Sequence, residues 1–325
     1  MSRSFPSSAP SSAAPARFTV LPGGRGSAAA RAVVAPAPAP TAGPFVKWVG
    51  GKTRLLEQLE PLLPREIARY SEPFVGGGAM FFHLRGQGRL QHAALTDANR
   101  DVVTAYRVIS EDVELLIDAL NLHERRYLQR DADGRAAYFY RIRERHPVDV
   151  EMDDIERASR MLFLNRTCFN GLWRENKSGR FNTPHGRYAR PQIVQADKLR
   201  AAAAALQDVH VEERDFRKLP ELVREHDIDF VYLDPPYHPI SATSAFNAYA
   251  GGGFSARAQR ELGEVCRELD RMGVRFMLSN SDCELIRKIY KGFDIQVVKA
   301  PRAVNCRGDR RGDVDEVVVR NAMRY

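Results

Sequence analysis

The stretch D-F-V-Y-L-D-P-P-Y, Asp229 to Tyr237, decides the fold class that this sequence predicts. Four apolar residues followed by an acid and two prolines indicate a buried strand that ends in a turn. Similar short runs occur at 68–74, 93–97, 209–216 and 274–280, and helical patterns separate several of them. This alternation predicts an α/β fold, with a mostly parallel sheet covered by helices on both faces.

Three segments have apolar residues at spacings of three and four, which predicts helices over Thr53–Leu63, Asp101–Leu120 and Ser255–Met272. Ser255 is a candidate N-cap for the third helix. The run S-D-C-E, Ser281 to Glu284, has the pattern of a capping box and predicts the start of a further helix.

The end of the chain departs from the alternation of strands and helices. Two strand candidates, Ile295–Pro301 and Asp315–Arg320, follow one another without a helical pattern between them. Consecutive strands joined without a helix pair antiparallel. We therefore expect an antiparallel hairpin at one edge of the sheet.

The composition divides the chain into segments. Residues 1–44 contain no Asp or Glu and almost no large apolar side chain, which predicts a disordered Ala/Pro/Ser-rich tail. Residues 121–204 interrupt the alternation and are rich in Arg, Tyr and Phe. We expect them to form an inserted, mainly helical second domain between the two parts, 45–120 and 205–325, of a larger domain.

Several classes of protein are disfavoured by composition. No run of eighteen apolar residues occurs, so no membrane span is expected. No cysteine forms a C-x-x-C pair or has a histidine at zinc-ligand spacing, so we expect no metal site and reduced thiols in a cytoplasmic protein. The acid-free tail also overlaps in composition with organelle transit peptides, which leaves organelle targeting as an alternative. The cysteines are Cys168, Cys266, Cys283 and Cys306.

The basic charge of the chain is concentrated in one segment. The formal net charge is +8, and the span from Arg157 to Arg190 alone holds seven Arg and one Lys against one Glu. Aromatic residues and glycines are interleaved with these cations, as in grooves that hold nucleic-acid phosphates and stack on bases. The alternative is a solvated basic face with ordinary core aromatics.

The turn after the strand at 229–234 has the side chains to bind a flat amine. Asp234 offers an anionic acceptor, and Pro236 favours an extended Pro235 whose carbonyl points out of the chain. Tyr237 adds an aromatic face. Two acceptors beside an aromatic plane suit an amino group on a heterocycle, although an ordinary strand-ending turn is the competing interpretation. The Gly-rich segment 241–254 is expected to form a mobile flap beside Tyr237.

Acids and glycines at other strand ends indicate a nucleoside-type cofactor. Glu72 precedes a glycine run that includes Gly76 and Gly78, which allows a ligand close to the backbone. A dinucleotide G-x-G-x-x-G would need glycine where Phe81 stands. Asp97 ends the next strand, where an acid commonly binds ribose hydroxyls. Asp215 and Phe216, which follow a later strand, could bond and contact an adenine ring.

Taken together, the motifs resemble those of the Dam-type, D12-class DNA adenine-N6 methyltransferases. The match runs from about Phe45 to Arg320 and keeps the order F-V-K-W-V-G-G-K, E-P-F-V-G-G-G-A, T-D-A-N, F-N-G-L-W-R-E-N-K-S-G-R-F-N-T-P-H-G-R-Y, D-F, D-P-P-Y and V-D-E-V. The resemblance implies a Rossmann-like, S-adenosylmethionine-dependent methyltransferase sheet. It also implies S-adenosylmethionine as methyl donor and a flipped adenine in double-stranded DNA as acceptor.

The resemblance also assigns site residues. The catalytic group is Asp234, Pro235, Pro236 and Tyr237. The cofactor-binding group is Trp48, Lys52, Glu72, Gly76, Gly78, Asp97, Asp215, Phe216 and Asp234. The DNA-binding group is Lys47, Phe169, Asn170, Arg174, Asn176, Asn182, Pro184 and Arg187.

Three rival interpretations remain open: a methyltransferase for RNA or amide groups, a DNA-binding regulator without catalysis, and a P-loop ATPase. The P-loop motif G-x-x-x-x-G-K-[ST] would place its first glycine where Val46 stands, which disfavours the ATPase. GATC is the leading target sequence, from resemblance to GATC-methylating relatives. We expect a monomer, either paired with a restriction enzyme or acting without one.

Overall fold

The computed structural model describes residues 41–176, 178–239, 254–301 and 313–321. Most of the predicted tail, Lys177, Cys306 and nearly all of the predicted flap lie outside the described residues. Within the described part, seven strands form one sheet in the order β3-β2-β1-β4-β5-β7-β6. The strands are β1 Arg69–Glu72, β2 His92–Asp97, β3 Val209–Glu213, β4 Phe230–Leu233, β5 Arg275–Ser281, β6 Asp294–Pro301 and β7 Asp313–Arg320.

Five of these strands run parallel, and the last two form the predicted hairpin. Neighbours from β3 to β5 pair in parallel, whereas β7 is antiparallel to both β5 and β6. The predicted α/β fold and the antiparallel edge are therefore confirmed. The carboxyl ends of β1, β2 and β4 meet at one edge, where open α/β sheets bind ligands.

Both faces of the sheet are covered, because alternate residues of the central strand β4 lie in different cores. Phe230 and Tyr232 lie in the larger core, whereas Val231 and Leu233 lie in the core with the last three helices. The α-helices are α1 Leu56–Leu59, α2 Ala79–Gly86, α3 Arg100–Glu111, α4 Val113–Leu128, α5 Ala132–Glu144, α6 Asp154–Thr167, α7 Ala196–Ala205, α8 Leu219–Glu225, α9 Ala256–Arg271 and α10 Glu284–Ile289.

The helix predicted over Thr53–Leu63 is wrong as a single element. The segment forms a 3-10 turn at Lys52–Arg54, the short helix α1 and a second 3-10 turn at Glu60–Leu62. Pro61 stands at the start of this last turn. Proline lacks an amide hydrogen and its ring clashes with the carbonyl four residues earlier, so it prevents a regular helix through this point.

The helix predicted over Asp101–Leu120 is two helices, α3 and α4. The chain bends at Asp112, where φ is −137° and ψ is 42°. Asn99 begins α3, and its side chain accepts hydrogen bonds from the amides of Asp101 and Val102. Apolar spacing continues across the bend, and periodicity alone therefore did not reveal it. α4 continues to Leu128 and α7 ends at Ala205, so the segment 121–204 begins within one helix and ends within another.

One predicted cap is present and the other is not. The Ser255 hydroxyl accepts from the Ala258 amide at 3.1 Å and caps α9. The capping box at Ser281 is wrong, because Ser281 is the last residue of β5 and its hydroxyl donates to the His238 carbonyl at 2.5 Å. Cys283 is the N-cap of α10 and makes no side-chain cap bond.

Candidate active site

The turn after β4 places Asp234 and Tyr237 beside Lys52. The Lys52 ammonium lies 2.7 Å from Asp234 Oδ1 and 2.9 Å from Oδ2, and it donates to the Gly50 carbonyl at 2.6 Å. It also lies 4.7 Å from the centre of the Tyr237 ring. The structure therefore joins the F-V-K-W-V-G-G-K and D-P-P-Y motifs through one buried lysine.

Burial governs the electrostatics of this pair. The Lys52 side chain is 3% exposed and that of Asp234 is 20% exposed. Burial raises the pKa of the Asp234 carboxyl, and the neighbouring Lys52 ammonium opposes the rise. Because the ammonium contacts both carboxylate oxygens, it stabilises the ionised form that can accept hydrogen bonds.

The glycine loop after β1 contacts Trp48 and Asp97. Gly76 has φ +43°, and a Cβ there would lie 2.5 Å from Trp48 Cδ1. The Gly76 amide donates to Asp97 Oδ2 at 3.1 Å. Gly78 has φ +64°, and its Cβ would lie 2.5 Å from the Tyr106 hydroxyl. Glycine is therefore required at both positions by backbone conformation and by close approach.

The acids of β1 and β2 are both perturbed by burial. Glu72 accepts from the Tyr70 hydroxyl at 2.8 Å and from the Phe81 amide at 3.2 Å. Burial raises its pKa to about 8, against the lowering effect of the Tyr70 bond. Burial likewise raises the pKa of Asp97 to about 6, although the Asn99 and Gly76 amides favour its ionised form.

Asp215 and Phe216 follow β3 and pack against the glycine loop through aromatic rings. The Phe216 ring centre lies 5.6 Å from that of Phe74 and 5.2 Å from that of Phe254. Asp215 caps the following 3-10 turn and forms a salt bridge of 2.7 Å with Arg217. The structure thus places Phe216 near the E-P-F-V-G-G-G-A motif, whereas the Asp215 carboxylate binds its own turn.

Sequence reasoning missed the residues that support the D-P-P-Y turn from other elements. Gln259 of α9 is fully buried, donates to the Pro236 carbonyl at 3.0 Å and accepts from Asn280 at 3.0 Å. Asn280 of β5 also accepts from the His238 amide at 3.2 Å. The sequence offered one signal for these residues, a polar side chain among apolar positions. Gln259 lies on an apolar helix face and Asn280 lies within an apolar strand, and a buried polar side chain needs a hydrogen-bond partner.

Lys47 is positioned by α6 and by the loop that follows it. The fully buried Asn165 side chain accepts from the Lys47 amide at 2.9 Å and donates to its carbonyl at 2.8 Å. Gly171, with φ +66°, leaves room for the Lys47 side chain, since a Cβ there would lie 2.5 Å from Lys47 Cδ. The Lys47 ammonium lies 5.5 Å from the centre of the Tyr188 ring.

The loop from Phe169 to Arg187, here called the central loop, is stabilised largely by its own backbone and short polar side chains. Arg174 donates to Asn182 Oδ1 at 2.8 Å, and the amide of Asn182 donates to the Arg174 carbonyl at 2.9 Å. Phe169 is 50% exposed, and its amide donates to the Pro184 carbonyl at 2.8 Å. The structure thus places these four predicted DNA-binding residues on two facing segments of one loop.

The remaining predicted DNA-binding residues lie at turns of the central loop. Asn176 Oδ1 accepts from the Ser178 and Arg180 amides, both at 3.0 Å, and so closes one turn. Asn170 and Arg187 both have φ +54°, and Arg187 is exposed. The Arg187 side chain therefore lies at the surface. The left-handed backbone conformation at this residue sets the direction in which the side chain leaves the loop.

A carboxylate links the central loop to the end of β2. Glu175 Oε1 accepts from the Asn99 side chain at 2.9 Å and from the Trp173 indole at 2.8 Å. Asn99 in turn donates its amide to Asp97 Oδ1 at 2.9 Å. One residue, Asn99, thus links the central loop to the Asp97 acid through two hydrogen bonds.

The described residues lack two features, a membrane-spanning helix and a cluster of metal ligands. No helix there is long and apolar enough to cross a membrane. The same residues contain no group of three or more His, Cys, Asp or Glu side chains that could hold a metal ion.

Comparison with known families identifies the arrangement. Residues 48–304 match the model of the D12 class N6 adenine-specific DNA methyltransferases. This chain belongs to that family. The resemblance drawn from the motifs is therefore confirmed, and the protein is an adenine-specific DNA methyltransferase that acts on DNA.

Curated relatives agree with this assignment along most of the chain. The chain is 38% identical over 286 residues to the Type II methyltransferase M.MjaIII of Methanocaldococcus jannaschii, with 86% of this chain and 98% of the relative covered. It is 37% identical over 283 residues to the Type II methyltransferase M1.LlaDCHI of Lactococcus lactis, covering 86% and 95%. It is also 32% identical over 274 residues to the DNA adenine methylase of Escherichia coli K12, covering 84% and 93%.

Proposed function

We propose that the enzyme transfers a methyl group from S-adenosylmethionine to N6 of a flipped adenine in double-stranded DNA, with GATC as its target. The observation that carries the proposal is the cluster of Lys52, Asp234 and Tyr237 at the carboxyl end of β4. It lies on the same sheet edge as the glycine loop and Asp97. The edge combines a carboxylate, an aromatic face and a glycine loop that allows a nucleoside close to the backbone. This combination suits methyl transfer from a nucleoside cofactor to a base.

The residues at this edge fit S-adenosylmethionine in shape and charge. Gly76 and Gly78 keep the loop free of side chains at positive φ, and each Asp97 oxygen has a lone pair beyond its backbone bond. Near Lys52 the Asp234 carboxyl group and the Tyr237 ring face supply two kinds of group that suit a cationic ligand. When bound, S-adenosylmethionine supplies an electrophilic methyl group on a positively charged sulfur.

In this proposal Trp48, Lys52, Glu72, Gly76, Gly78 and Asp97 hold the cofactor. Asp97 accepts from its ribose hydroxyls, and Trp48 packs beside the methionine end. Asp215 and Phe216 bind its adenine ring. Support comes from the contact of Trp48 with Gly76 and from the aromatic cluster that joins Phe216 to Phe74.

The turn after β4 orients the adenine amino group. Flipping costs a few kcal/mol of unstacking, and stacking on Tyr237 recovers part of this cost. Asp234 and the Pro235 carbonyl would accept hydrogen bonds from the two N6 hydrogens, which would draw the nitrogen lone pair out of ring conjugation and direct it at the methyl group. The N–CH3 bond would form as the S–CH3 bond breaks, and N6 would lose one hydrogen as a proton to solvent. Lys52 keeps the Asp234 carboxylate in place. Positioning of this kind contributes up to roughly 7–11 kcal/mol to catalysis.

The central loop reads the DNA, within the proposed target-recognition segment at 121–204. Arg187, exposed and at positive φ, is the residue we assign to a guanine edge, because a bidentate Arg–guanine pair is the commonest specific contact. Phe169 is exposed enough to wedge into the base stack. We propose that the enzyme works as a monomer. The other residues assigned to DNA are Lys47 and, in the central loop, Asn170, Arg174, Asn176, Asn182 and Pro184.

Expression in a bacterial host that lacks adenine methylation tests the proposal. Mapping of modified adenines on the host DNA is expected to find N6-methyladenine at GATC sites, and that DNA should resist a nuclease blocked by GATC methylation. N6-methyladenine confined to another sequence would overturn the target while leaving the reaction intact. Methyl groups in RNA, with none in DNA, would overturn the substrate.

A further inference from the structure

Glu316 is an acid of the edge hairpin to which the motif analysis gave no role. It lies on β7 opposite Ser281 of β5, within the V-D-E-V motif. Its carboxylate Oε2 accepts a hydrogen bond of 2.7 Å from the Tyr237 hydroxyl, although the two residues are 79 positions apart in the chain. The hairpin therefore contacts the D-P-P-Y turn directly.

Two contacts fix the Tyr237 ring in place. Glu316 holds the hydroxyl at one end of the ring, and Lys52 lies 4.7 Å from the ring centre. A tyrosine side chain has two rotatable torsions before its hydroxyl. A hydrogen bond at the ring tip combined with a cation over the ring sets both the position and the plane of the aromatic face.

The contact of Glu316 is distinct from the contacts that hold the hairpin together. The preceding acid, Asp315, forms a salt bridge of 2.5 Å with Lys299 of the paired strand β6. Successive side chains of a strand point to opposite faces, so Glu316 faces the turn while Asp315 is exposed. Asp315 and Glu316 thus form a natural pair for comparison, with one acid supporting the hairpin and the other the turn.

The surroundings of Glu316 and Tyr237 fix which of the two groups donates the hydrogen bond. Burial raises the pKa of Glu316, while the Lys52 ammonium and the Tyr237 hydrogen bond oppose the rise. Burial also raises the pKa of Tyr237 well above its usual value, so the phenol keeps its proton. The phenol is accordingly the donor and Glu316 Oε2 the acceptor in this hydrogen bond.

We propose that Glu316 is a positioning residue for adenine methylation, which holds the Tyr237 ring in the plane where it stacks on the flipped base. The inference rests on the proposed function, in which Tyr237 supplies that stacking face. Glu316 itself touches neither the base nor the donor in this account. Its effect reaches the reaction through the Tyr237 hydroxyl.

A double-mutant cycle tests the proposal, with kcat and KM for DNA measured for Glu316→Ala, Tyr237→Phe and the double variant. Each single change removes the same hydrogen bond, so each is expected to lower kcat by up to about tenfold, the net contribution of one hydrogen bond. The double variant is expected to match the single variants. A double variant whose loss is the product of the single losses would overturn the proposal.

Two further variants test whether the effect of Glu316 comes from its hydrogen bond. Glu316→Gln removes the acidic group but keeps an acceptor, and Asp315→Ala removes the neighbouring acid of the same strand. Glu316→Gln keeps an acceptor oxygen and is expected to recover most of the kcat lost in Glu316→Ala. Asp315→Ala is expected to leave kcat near wild type. If Glu316→Gln is as impaired as Glu316→Ala, the carboxylate charge rather than the hydrogen bond is responsible, and the proposal fails.

If Glu316→Ala does not fold, Tyr237→Phe still tests the proposal by itself. Loss of the hydrogen bond in this variant is expected to lower kcat by up to about tenfold. Wild-type kcat in Tyr237→Phe would overturn it. The wild-type enzyme distinguishes this inference from the proposed function. Absence of N6-methyladenine from its DNA product would defeat both, whereas wild-type methylation with an unaffected Glu316→Ala variant would defeat the positioning role alone.

Discussion

The turn after β4 and the central loop are held in place in different ways. The turn is fixed by side chains that come from elements far away in the chain, and most of them are buried. The central loop is fixed mainly by bonds between its own residues, with its reading side chains at the surface. The side chains that support the turn are Lys52, Gln259, Asn280, Ser281 and Glu316.

This difference follows from what each region has to do. A reacting group must be held closely to its productive geometry, because a small displacement costs much of the rate. A reading group has to meet DNA, so its side chain stays exposed while the backbone beneath it is fixed. Substitutions in the turn are therefore expected to change kcat, and substitutions in the central loop to change the choice of sequence.

Apart from loss of Asp234 itself, the largest effect is expected from Gly76→Ala, in the glycine loop at the same sheet edge as the turn. The added Cβ would meet Trp48 at 2.5 Å, in a backbone with φ +43°. Displacement of Trp48 should lower kcat/KM for the methyl donor more than about 100-fold, since steric clash adds to backbone strain. Gly179→Ala is the matched control in the central loop, where φ is +72° and the space is open. Equal losses in the two variants would contradict a requirement for close approach of Gly76 to Trp48.

A smaller loss is expected from Gln259→Leu, which leaves the Pro236 carbonyl and the Asn280 amide without their partner. We expect kcat to fall about 30-fold with little change in KM for DNA, because unpaired buried polar groups cost about 1–3 kcal/mol. Gln207→Leu is the control, since its side-chain amide also donates to backbone carbonyls but is exposed in the turn between α7 and β3. A change confined to KM would argue against a role in holding the turn.

The buried acid of β1 predicts a specific pH dependence of stability. The pKa of Glu72 is about 8 in the folded protein against an ordinary 4.5, so the folded state binds the proton more tightly than the unfolded chain. This contribution to stability is full below the ordinary pKa and is lost as pH rises through about 8.

Urea unfolding of wild type and Glu72→Gln at pH 6 and pH 8 measures this contribution. The wild-type free energy of unfolding is expected to fall by roughly 2 kcal/mol more than that of the variant over this range. Glu66→Gln, at an exposed glutamate, is the control and should behave as wild type. Identical pH dependence in wild type and Glu72→Gln would refute the burial effect.

The smallest effect is expected from Arg187→Ala in the central loop. Arginine and alanine both carry a Cβ, so the substitution leaves the backbone strain at φ +54° unchanged. Any change in sequence discrimination therefore reports loss of the guanidinium. Discrimination against DNA with one altered base pair should fall about tenfold, within the range of one bidentate contact. Arg190→Ala, at a nearby exposed arginine, should affect all sequences alike. Unchanged discrimination in Arg187→Ala would remove this residue from sequence reading.

Most of the sheet and the residues at its ligand edge could be predicted from the sequence, because they depend on local signals. A short apolar run that ends in L-D-P-P-Y or in E-P-F-V-G-G-G specifies a strand and the turn after it. The antiparallel edge followed from two strands with no helix between them. The bend at Asp112 could not be predicted, since apolar periodicity continues through it.

The support of the turn could not be predicted for a different reason. Its partners are far apart in the chain: Gln259 is 23 positions from Pro236, and Glu316 is 79 positions from Tyr237. Local patterns carry no information on which buried amide meets which carbonyl across the sheet. The failed capping box at Ser281 has the same origin, because its hydroxyl bonds to His238, 43 positions away.

In the proposed mechanism the Asp234 carboxylate positions the adenine amino group for methylation. The direct test compares wild type with Asp234→Ala on duplex DNA supplied with S-adenosylmethionine, with nucleosides of the product analysed by mass spectrometry and DNA binding measured in parallel. N6-methyladenine is expected from wild type and none from Asp234→Ala, while DNA affinity stays within a few-fold of wild type. N6-methyladenine formed by Asp234→Ala at a rate near that of wild type would contradict the account.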